Sequence, residues 1–549
     1  MTLKDLLKKK ILGLVKLSRL DGEPDDDRLT FVNDNTRILR TRLKEYNVWY
    51  DGDGDELLNF YTNQNTFEYN YEPYFHRNKK NYYWAISTTE SDIKRTHSGI
   101  PKSIVDTMVN ITRFPHIRAG MFKDENNKVN QNLKTIIRKT KLKQKYKDRQ
   151  MPLTLVEGWG CWKINWDTVM SQYPQVTYYR ADSVDFIYKG DEIFGVSFRD
   201  YYQGNDSKRY MKIETRSFKI KEGTKYLIIE TEVYSVGKDN QNLIKIEDYK
   251  NVLPELSDVV DYIEFKNCDI LFAVPCIFFE ETDKSGMYGK SIFKGKIDLF
   301  DDLDQACSQA SSSVRKSTPI EYYDSEFLER DRNTGLPKQP KVYDRKYILF
   351  KGGRNSDGSS TSSSPVQVTQ PSLDFKKYSD ECVDIIGRII HGIMSPATLG
   401  IDLAKKDNAE AQREKEKVTI FTRNSIIDSE TEILLDLCNQ LLCAYEFMNS
   451  GQITVKDYDI SIKFSEFADD SYENKLKVLG EAYNTENLSD EMYLNRLYGD
   501  TLSYAEYEKE LKWLRKNHSE PRAEGMKGMA GGGANLPGMM GLEDDEEEL

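Results

Sequence analysis

One stretch constrains the fold of this chain more than any other. From Asn408 to Met448 a helical pattern runs without a Pro or Gly to interrupt it, well beyond the roughly 8–20 residues of an ordinary globular helix. At ~1.5 Å per residue it spans roughly 60 Å. Its first part, Ala409–Lys417, is nearly all charged and small residues, while Ile426–Phe447 is rich in Ile and Leu. A helix that begins wet and ends buried reads as a rod crossing a larger assembly. A loop punctuated by Pro396 and Gly400 separates it from a preceding helical pattern.

Composition agrees with a chain that is extended, tailed, or a subunit that completes its buried surface with partners. At 549 residues the chain is long enough for several domains. Apolar residues make up 38% and charged residues 31%, against norms of about 45–50% and 25%. The 34 Tyr and 23 Phe argue against disorder for most of it. A net charge of −12 excludes a generic DNA-coating protein, since those are basic. Six acids fall within Leu542–Leu549, and the stretch from Ala523 is first Gly/Met-rich and then acidic, so it reads as disordered.

The seven cysteines (161, 268, 276, 307, 382, 438, 443) form no CxxC pair and read as reduced core residues of an intracellular protein. No apolar run reaches the ~18–20 residues needed to span a bilayer. Met1–Leu20 is Lys-rich and amphipathic, too interrupted for a secretory signal. It reads first as a docking helix within an assembly and second as a membrane-surface helix.

Periodicity divides the chain. Helical patterns cover Asp34–Leu43, Glu56–Tyr61, Ile100–Met121 and Asn130–Arg149, and from Leu153 to Phe279 the period shifts towards two, predicting a β-rich region with several hairpins. Lys296–Lys316 returns to helix, with Leu299/Phe300, Leu303, Ala306/Cys307, Ala310 and Val314 on one apolar stripe. Short strands are expected over 318–353, followed by a polar low-complexity loop at 354–366. Leu373–Met394 is a second helix, so two helices flank a compact insertion, a stalk with a knob at its end. A strand is expected within Gln452–Phe467 and a helical tail over Ser471–His518, where Ser503 and Glu506 form a capping box.

Several motifs suggest chemistry and fail on spacing. Ser285-Gly-Met-Tyr-Gly-Lys-Ser291 invites a P-loop reading, but only two residues separate Gly286 from Gly289 where a Walker A loop needs four. Asp51-Gly-Asp-Gly-Asp55 resembles the start of a calcium loop, yet Glu56 stands where Gly is required, so a solvated turn is expected. The five histidines show no HxxxH spacing, and no zinc set accompanies them. Asp301, Asp302 and Asp304 read as a wet surface rather than a two-metal nuclease site. Lys134–Arg149 holds eight Lys/Arg in sixteen residues and reads as a solvated helix face before a phosphate-backbone contact.

Taken in order, several segments resemble tailed-bacteriophage portal proteins, the type found in phages of Gram-positive bacteria. These are Trp49-Tyr-Asp-Gly-Asp, Gly158-Trp-Gly-Cys-Trp-Lys-Ile-Asn-Trp-Asp, Tyr288-Gly-Lys-Ser-Ile-Phe-Lys-Gly-Lys-Ile-Asp, Asp331-Arg-Asn-Thr-Gly-Leu-Pro and Ser395-Pro-Ala-Thr-Leu-Gly-Ile-Asp. The resemblance covers roughly residues 35–518. It implies an α+β subunit with an N-terminal segment and the first part of a wing at 1–285, and a first stem helix at 286–317. A clip with the polar loop follows at 318–370, a second stem helix at 371–394 and a tunnel loop at 395–407. The long wing helix and wing strand take 408–467, a helical crown 468–520, and a disordered tail 521–549.

That family forms a dodecameric ring, a homo-oligomer at one capsid vertex of the virion. Double-stranded DNA passes through its channel without sequence preference, driven by the terminase large subunit, and a head-completion adaptor attaches later. Major capsid and scaffolding proteins are further expected partners. No cofactor, metal or catalytic residue is implied. Lys405 and Lys406 would line the channel, and Leu303, Ala306, Ala310, Ile386 and Ile390 would pack stem helices between subunits as well as within one. The alternatives are a P-loop or metal-dependent nucleic-acid enzyme of the packaging machinery, or another oligomeric virion or membrane-docked scaffold.

Overall fold

The computed structural model describes residues 28–30, 34–62, 82–86, 93–120, 128–166, 171–189, 192–206, 208–221, 223–236, 242–283, 286–317, 320–324, 328–336, 338, 346–350, 366–369, 375–401, 409–451, 456, 458–465, 479–483, 489–498 and 504–518. Among them the chain is a mixed α and β structure whose strand pairs are antiparallel apart from one parallel pair. It divides into two compact units, one of residues 1–121 and 127–465, the other of 122–126 and 466–549.

The first unit opens with β1 (Arg28–Thr30), α1 (Asp34–Asp51) and α2 (Gly54–Thr62). Gly52 turns the chain between the helices at φ 70, and a Cβ there would stand 2.8 Å from His97 Cδ2. Only glycine fits both demands. Asp53 Oδ1 accepts the Asp55 amide at 2.9 Å and so caps α2. The Asp-rich run is thus a helix start.

α3 (Ile100–Thr112) ends well short of the expected Met121. Arg113 adopts φ 34, and Pro115 disfavours helix in the residue before it. The chain instead forms β2 (His116–Ala119), paired antiparallel with Ile460–Lys463. The single helix expected over Asn130–Arg149 is broken by Lys141 at φ 53 into α4 (Lys128–Lys139) and α5 (Leu142–Lys145). A π-helical turn, Tyr146–Gln150, leads into α6 (Met151–Glu157). Residues 153–157 are therefore helical, and strands begin only after Gly158.

β3 (Trp159–Asn165) and β4 (Gln175–Arg180) belong to a small sheet; β5 (Val184–Lys189), β6 (Glu192–Gln203), β7 (Arg209–Lys221), β8 (Thr224–Val236), β9 (Asn242–Lys245) and β10 (Tyr262–Lys266) belong to a large one. The large sheet has seven strands in the order β1-β9-β8-β7-β6-β5, with β10 also on β8. β11 (Ala273–Ile277) completes the small sheet in the order β11-β3-β4. Val196, Phe198, Phe218, Leu227 and Ile229 of the large sheet are buried in the same core as Trp162, Phe272 and Val274, each large apolar side chain contributing about 1.5–3 kcal/mol.

An ion network joins the sheets. Lys163 Nζ donates to Glu214 Oε2 at 2.6 Å. Arg216 donates to Glu214 at 3.0 Å, to the Ile164 and Phe272 carbonyls at 2.9 and 2.6 Å, and to Asn165 at 2.9 Å. Burial alone would raise Glu214, yet Arg216 and Lys163 hold it down at about 2. Burial lowers Lys163 to about 8 against the attraction of Glu214. Both groups therefore remain charged at neutral pH, the condition under which a buried pair holds.

β12 (Glu280–Asp283) and β13 (Gly286–Gly289) form a hairpin. The Gly-Lys-Ser run is the end of this hairpin: Lys290 is exposed, its amide donates to the Phe279 carbonyl at 2.7 Å, and Ser291 is buried. Gly289 lies against Gly158, where a Cβ would stand 1.8 Å from the Gly158 oxygen. Close backbone crossing, rather than a phosphate, explains that glycine.

α7 (Ile297–Lys316) leads into a three-stranded sheet of β14 (Ile320–Asp324), β15 (Lys346–Phe350) and β16 (Val366–Thr369). β14 is central, parallel to β15 and antiparallel to β16. α8 (Phe375–Ile390) returns along α7, and α9 (Ala409–Ser450) runs 42 residues, the rod read from the sequence. Its inner stripe holds Thr419, Arg423, Ile426, Glu430, Leu434, Leu437, Leu441 and Ala444, spaced by three and four. The polar members are partnered: Arg423 Nε reaches the Ile111 carbonyl at 2.9 Å, and Glu430 Oε2 accepts from Gln150 at 2.7 Å. β17 (Ile460–Lys463) closes this unit.

In the second unit α10 (Asp490–Tyr498) packs against α11 (Tyr504–His518) through Leu494, Tyr507, Leu511 and Leu514. Residues 354–365, the proposed cap Ser503 and everything after His518 lie outside the described residues.

Candidate assembly and channel site

α7 is held at its base by its own carboxylates. Positions 298, 301, 304 and 308 recur at three and four, so they share one helix face. Asp298 accepts from the Tyr82 hydroxyl. Asp301 takes the Tyr83 and Trp84 amides at 2.7 and 3.3 Å. Asp304 takes the Trp84 indole at 3.0 Å, the Ser98 amide at 2.8 Å and His97 Nδ1 at 2.7 Å. Ser308 Oγ accepts the Thr96 amide at 2.9 Å.

Asp301 and Asp304 are 4% and 0% exposed, which corrects the wet-surface reading for both; Asp302 is exposed as expected. Burial pushes Asp301 up to about 7 while the two amides pull it down. Above them Trp49 packs between His97 and Phe300, and its indole donates to the Tyr61 hydroxyl at 2.8 Å. The Trp49-to-Asp53 motif thus closes over this knot of acids.

The α7–α8 pair changes character along its length. Near the base, Leu303, Ala306, Ile385, Ile389 and Ile390 are buried, and Lys296 Nζ donates to the Arg388 and His391 carbonyls at the end of α8. Such a cation complements a helix C-terminus. Further out the helices meet through Cys307 and Cys382, and through Ser313 and Tyr378 at 3.3 Å. Val314, beyond that contact, and Val383, beside Cys382, are 44% and 49% exposed. The three-stranded sheet and its neighbouring turn expose Ile348, Leu349, Val368 and Leu336 as well.

Of the residues read as packing stem helices, Leu303, Ala306 and Ile390 are buried within one chain, whereas Ala310 and Ile386 are half-buried and keep surface free. Ser395–Ile401 is a compact turn. Gly400 and Ile401 donate to the Ala397 and Pro396 carbonyls at 3.0 and 3.1 Å, and the Ser395 amide donates to Thr419 of α9 at 2.9 Å. Gly400 adopts φ 74. Lys405 and Lys406 lie outside the described residues.

In the basic run, Lys134, Arg138, Lys139, Lys141, Lys143, Lys147 and Arg149 are exposed, a solvated face; Lys145 is half-buried and donates to the Val176 carbonyl at 2.6 Å. No protein-family model and no curated protein matches the chain. Among the described residues no group of three His, Cys, Asp or Glu side chains is placed to hold a metal ion, and no helix is long and apolar enough to cross a membrane.

Sequence reasoning missed His97, Trp84 and the inward role of Asp301 and Asp304. The only signal was the 298/301/304/308 spacing, which carries no hint of its partners, because most of them are backbone amides.

Proposed function

We propose that this chain is the portal protein of a tailed bacteriophage: a subunit of a ring at one capsid vertex that conducts double-stranded DNA during packaging and ejection. In this reading α7 and α8 are the stem, the sheet between them the clip, α9 the long wing helix and the Ser395–Asp407 stretch the tunnel loop. The terminase large subunit docks on the clip, a head-completion adaptor replaces it, and capsid and scaffolding proteins surround the ring. The chain works in the virion and assembles in the host cytoplasm.

One observation carries the reading. The α7–α8 pair and the sheet between them expose Val314, Leu336, Ile348, Leu349, Val368 and Val383, apolar side chains that a neighbouring copy would cover. α9 adds Val418 and Phe421, 41% and 68% exposed. Neighbouring copies around a ring would cover such surfaces. A net charge of −12 also suits a conduit, because a channel that passes DNA quickly must not accumulate salt-sensitive phosphate contacts.

Mass photometry and negative-stain microscopy of the full chain test this. The expected result is rings with a central hole and, for twelve copies of a 63.8 kDa chain, a mass of about 0.77 MDa. A monomer at micromolar concentration that hydrolyses ATP would overturn the proposal in favour of a packaging enzyme.

A further inference from the structure

We propose that Cys307 and Cys382 are a modification site, a reversible disulfide that staples α7 to α8 where the pair leaves the core. Their sulfurs lie 3.8 Å apart across the helix contact. Both are half-buried, while the other five cysteines are buried. A disulfide needs ~2.05 Å, so roughly 1.8 Å of approach remains. The bond would fall between buried Ala306 and the exposed stretch around Val314. It would also close a loop that contains the whole three-stranded sheet.

The oxidant is a small-molecule disulfide, RSSR. Burial and the neighbouring thiol push the Cys307 thiol up, and the thiolate is the attacking form. One thiol of the pair loses its proton and attacks RSSR, forming a mixed disulfide and releasing one RS⁻. The other then loses its proton, attacks the first cysteine's sulfur and expels the second RS⁻. Two electrons pass from the dithiol to RSSR, and the two released protons convert the two RS⁻ to RSH. The chemistry stands without the portal reading. Its use rests on that reading: the reduced pair suits assembly in a reducing cytoplasm, and the staple sets once the particle meets oxidising surroundings.

The test equilibrates the full chain with glutathione buffers, quenches by alkylation and maps peptides by mass. The expected product joins the Cys307 and Cys382 peptides with the loss of two hydrogens. Its equilibrium constant should be at least ~tenfold above that of the same pair in guanidinium, about 30 mV for a two-electron couple. In Cys307→Ser a glutathione adduct should persist on Cys382. Native protein that resists oxidation, a mixed disulfide on the wild type that never closes, or a constant no larger than in denaturant would overturn the staple. Particle mass, read separately by photometry, reports on the ring.

Discussion

The inner and outer halves of the α7–α8 pair are made from similar residues and do different work. At the base, acids that look solvent-facing are turned inwards, and every carboxylate oxygen of Asp301 and Asp304 accepts at least one donor. From the middle of the pair outwards, valines that would suit a core stand in solvent at Val383, beside Cys382, and at Val314. The difference shows that residue type alone does not decide burial. The base is fixed by hydrogen bonds to a segment far away in sequence, so a polar face is pulled in. Among the described residues no such segment holds the outer half, and its apolar side chains are exposed in the single chain.

Breaking the base should give the largest effect. Asp304→Ala leaves the Trp84 indole, the Ser98 amide and His97 without their acceptor. Each buried unsatisfied group costs about 1–3 kcal/mol, so a loss of roughly 3–5 kcal/mol is expected in denaturant unfolding. A loss under 1 kcal/mol would mean that the knot is not what anchors α7.

A matched pair of charges sharpens the comparison. Ala306 is 8% exposed and Ala310 half-buried, one turn further out. Ala306→Glu should cost several kcal/mol, because it buries an unpaired charge. Ala310→Glu should leave the single chain within about 1 kcal/mol of wild type and abolish rings. Equal destabilisation by both substitutions would erase the boundary drawn between the halves.

A smaller effect follows from titration at the base. Asp301 is raised from 3.8 in the unfolded chain to about 7, so the folded state holds its proton through that interval. Stability supplied by this group is complete below about 3.8 and is lost as pH rises through about 7, at no more than ~1.4 kcal/mol per pH unit. Asp301→Asn keeps one acceptor oxygen for one of the two amides, removes the titration and should flatten that slope. Parallel stability-versus-pH curves for the two proteins would sink the assignment.

Much of this architecture was legible because it is local. The rod over Asn408–Met448 appears as Ala409–Ser450, and the helix–insertion–helix pattern appears as α7, the small sheet and α8. Legibility failed where distant partners decide. Residues 116–119, read as the end of a helix, pair instead with Ile460–Lys463. Residues 153–157, read as the start of the β-rich region, belong instead to the helix Met151–Glu157, which Pro152 opens. At the base of α7 the decisive groups are amides of residues 83, 84, 96 and 98, which a side-chain pattern cannot announce.

The smallest change to the chain should have the clearest consequence for assembly. Val383 is 49% exposed among Glu381, Asp384 and other exposed side chains near the middle of α8, beside Cys382. In one chain, Val383→Asp moves a half-exposed side chain from apolar to charged and breaks no hydrogen bond, so its effect should stay within about 0.5 kcal/mol. In a ring, the same substitution places a charge where a neighbour's apolar surface should lie, and every subunit repeats it. The expected outcome is a chain with an unchanged denaturation midpoint and a particle mass that collapses to 63.8 kDa. Intact rings from Val383→Asp, repeated with Val314→Asp, would show that the outer apolar face is bare in the assembly too, and the contrast between the halves would then describe only a single chain.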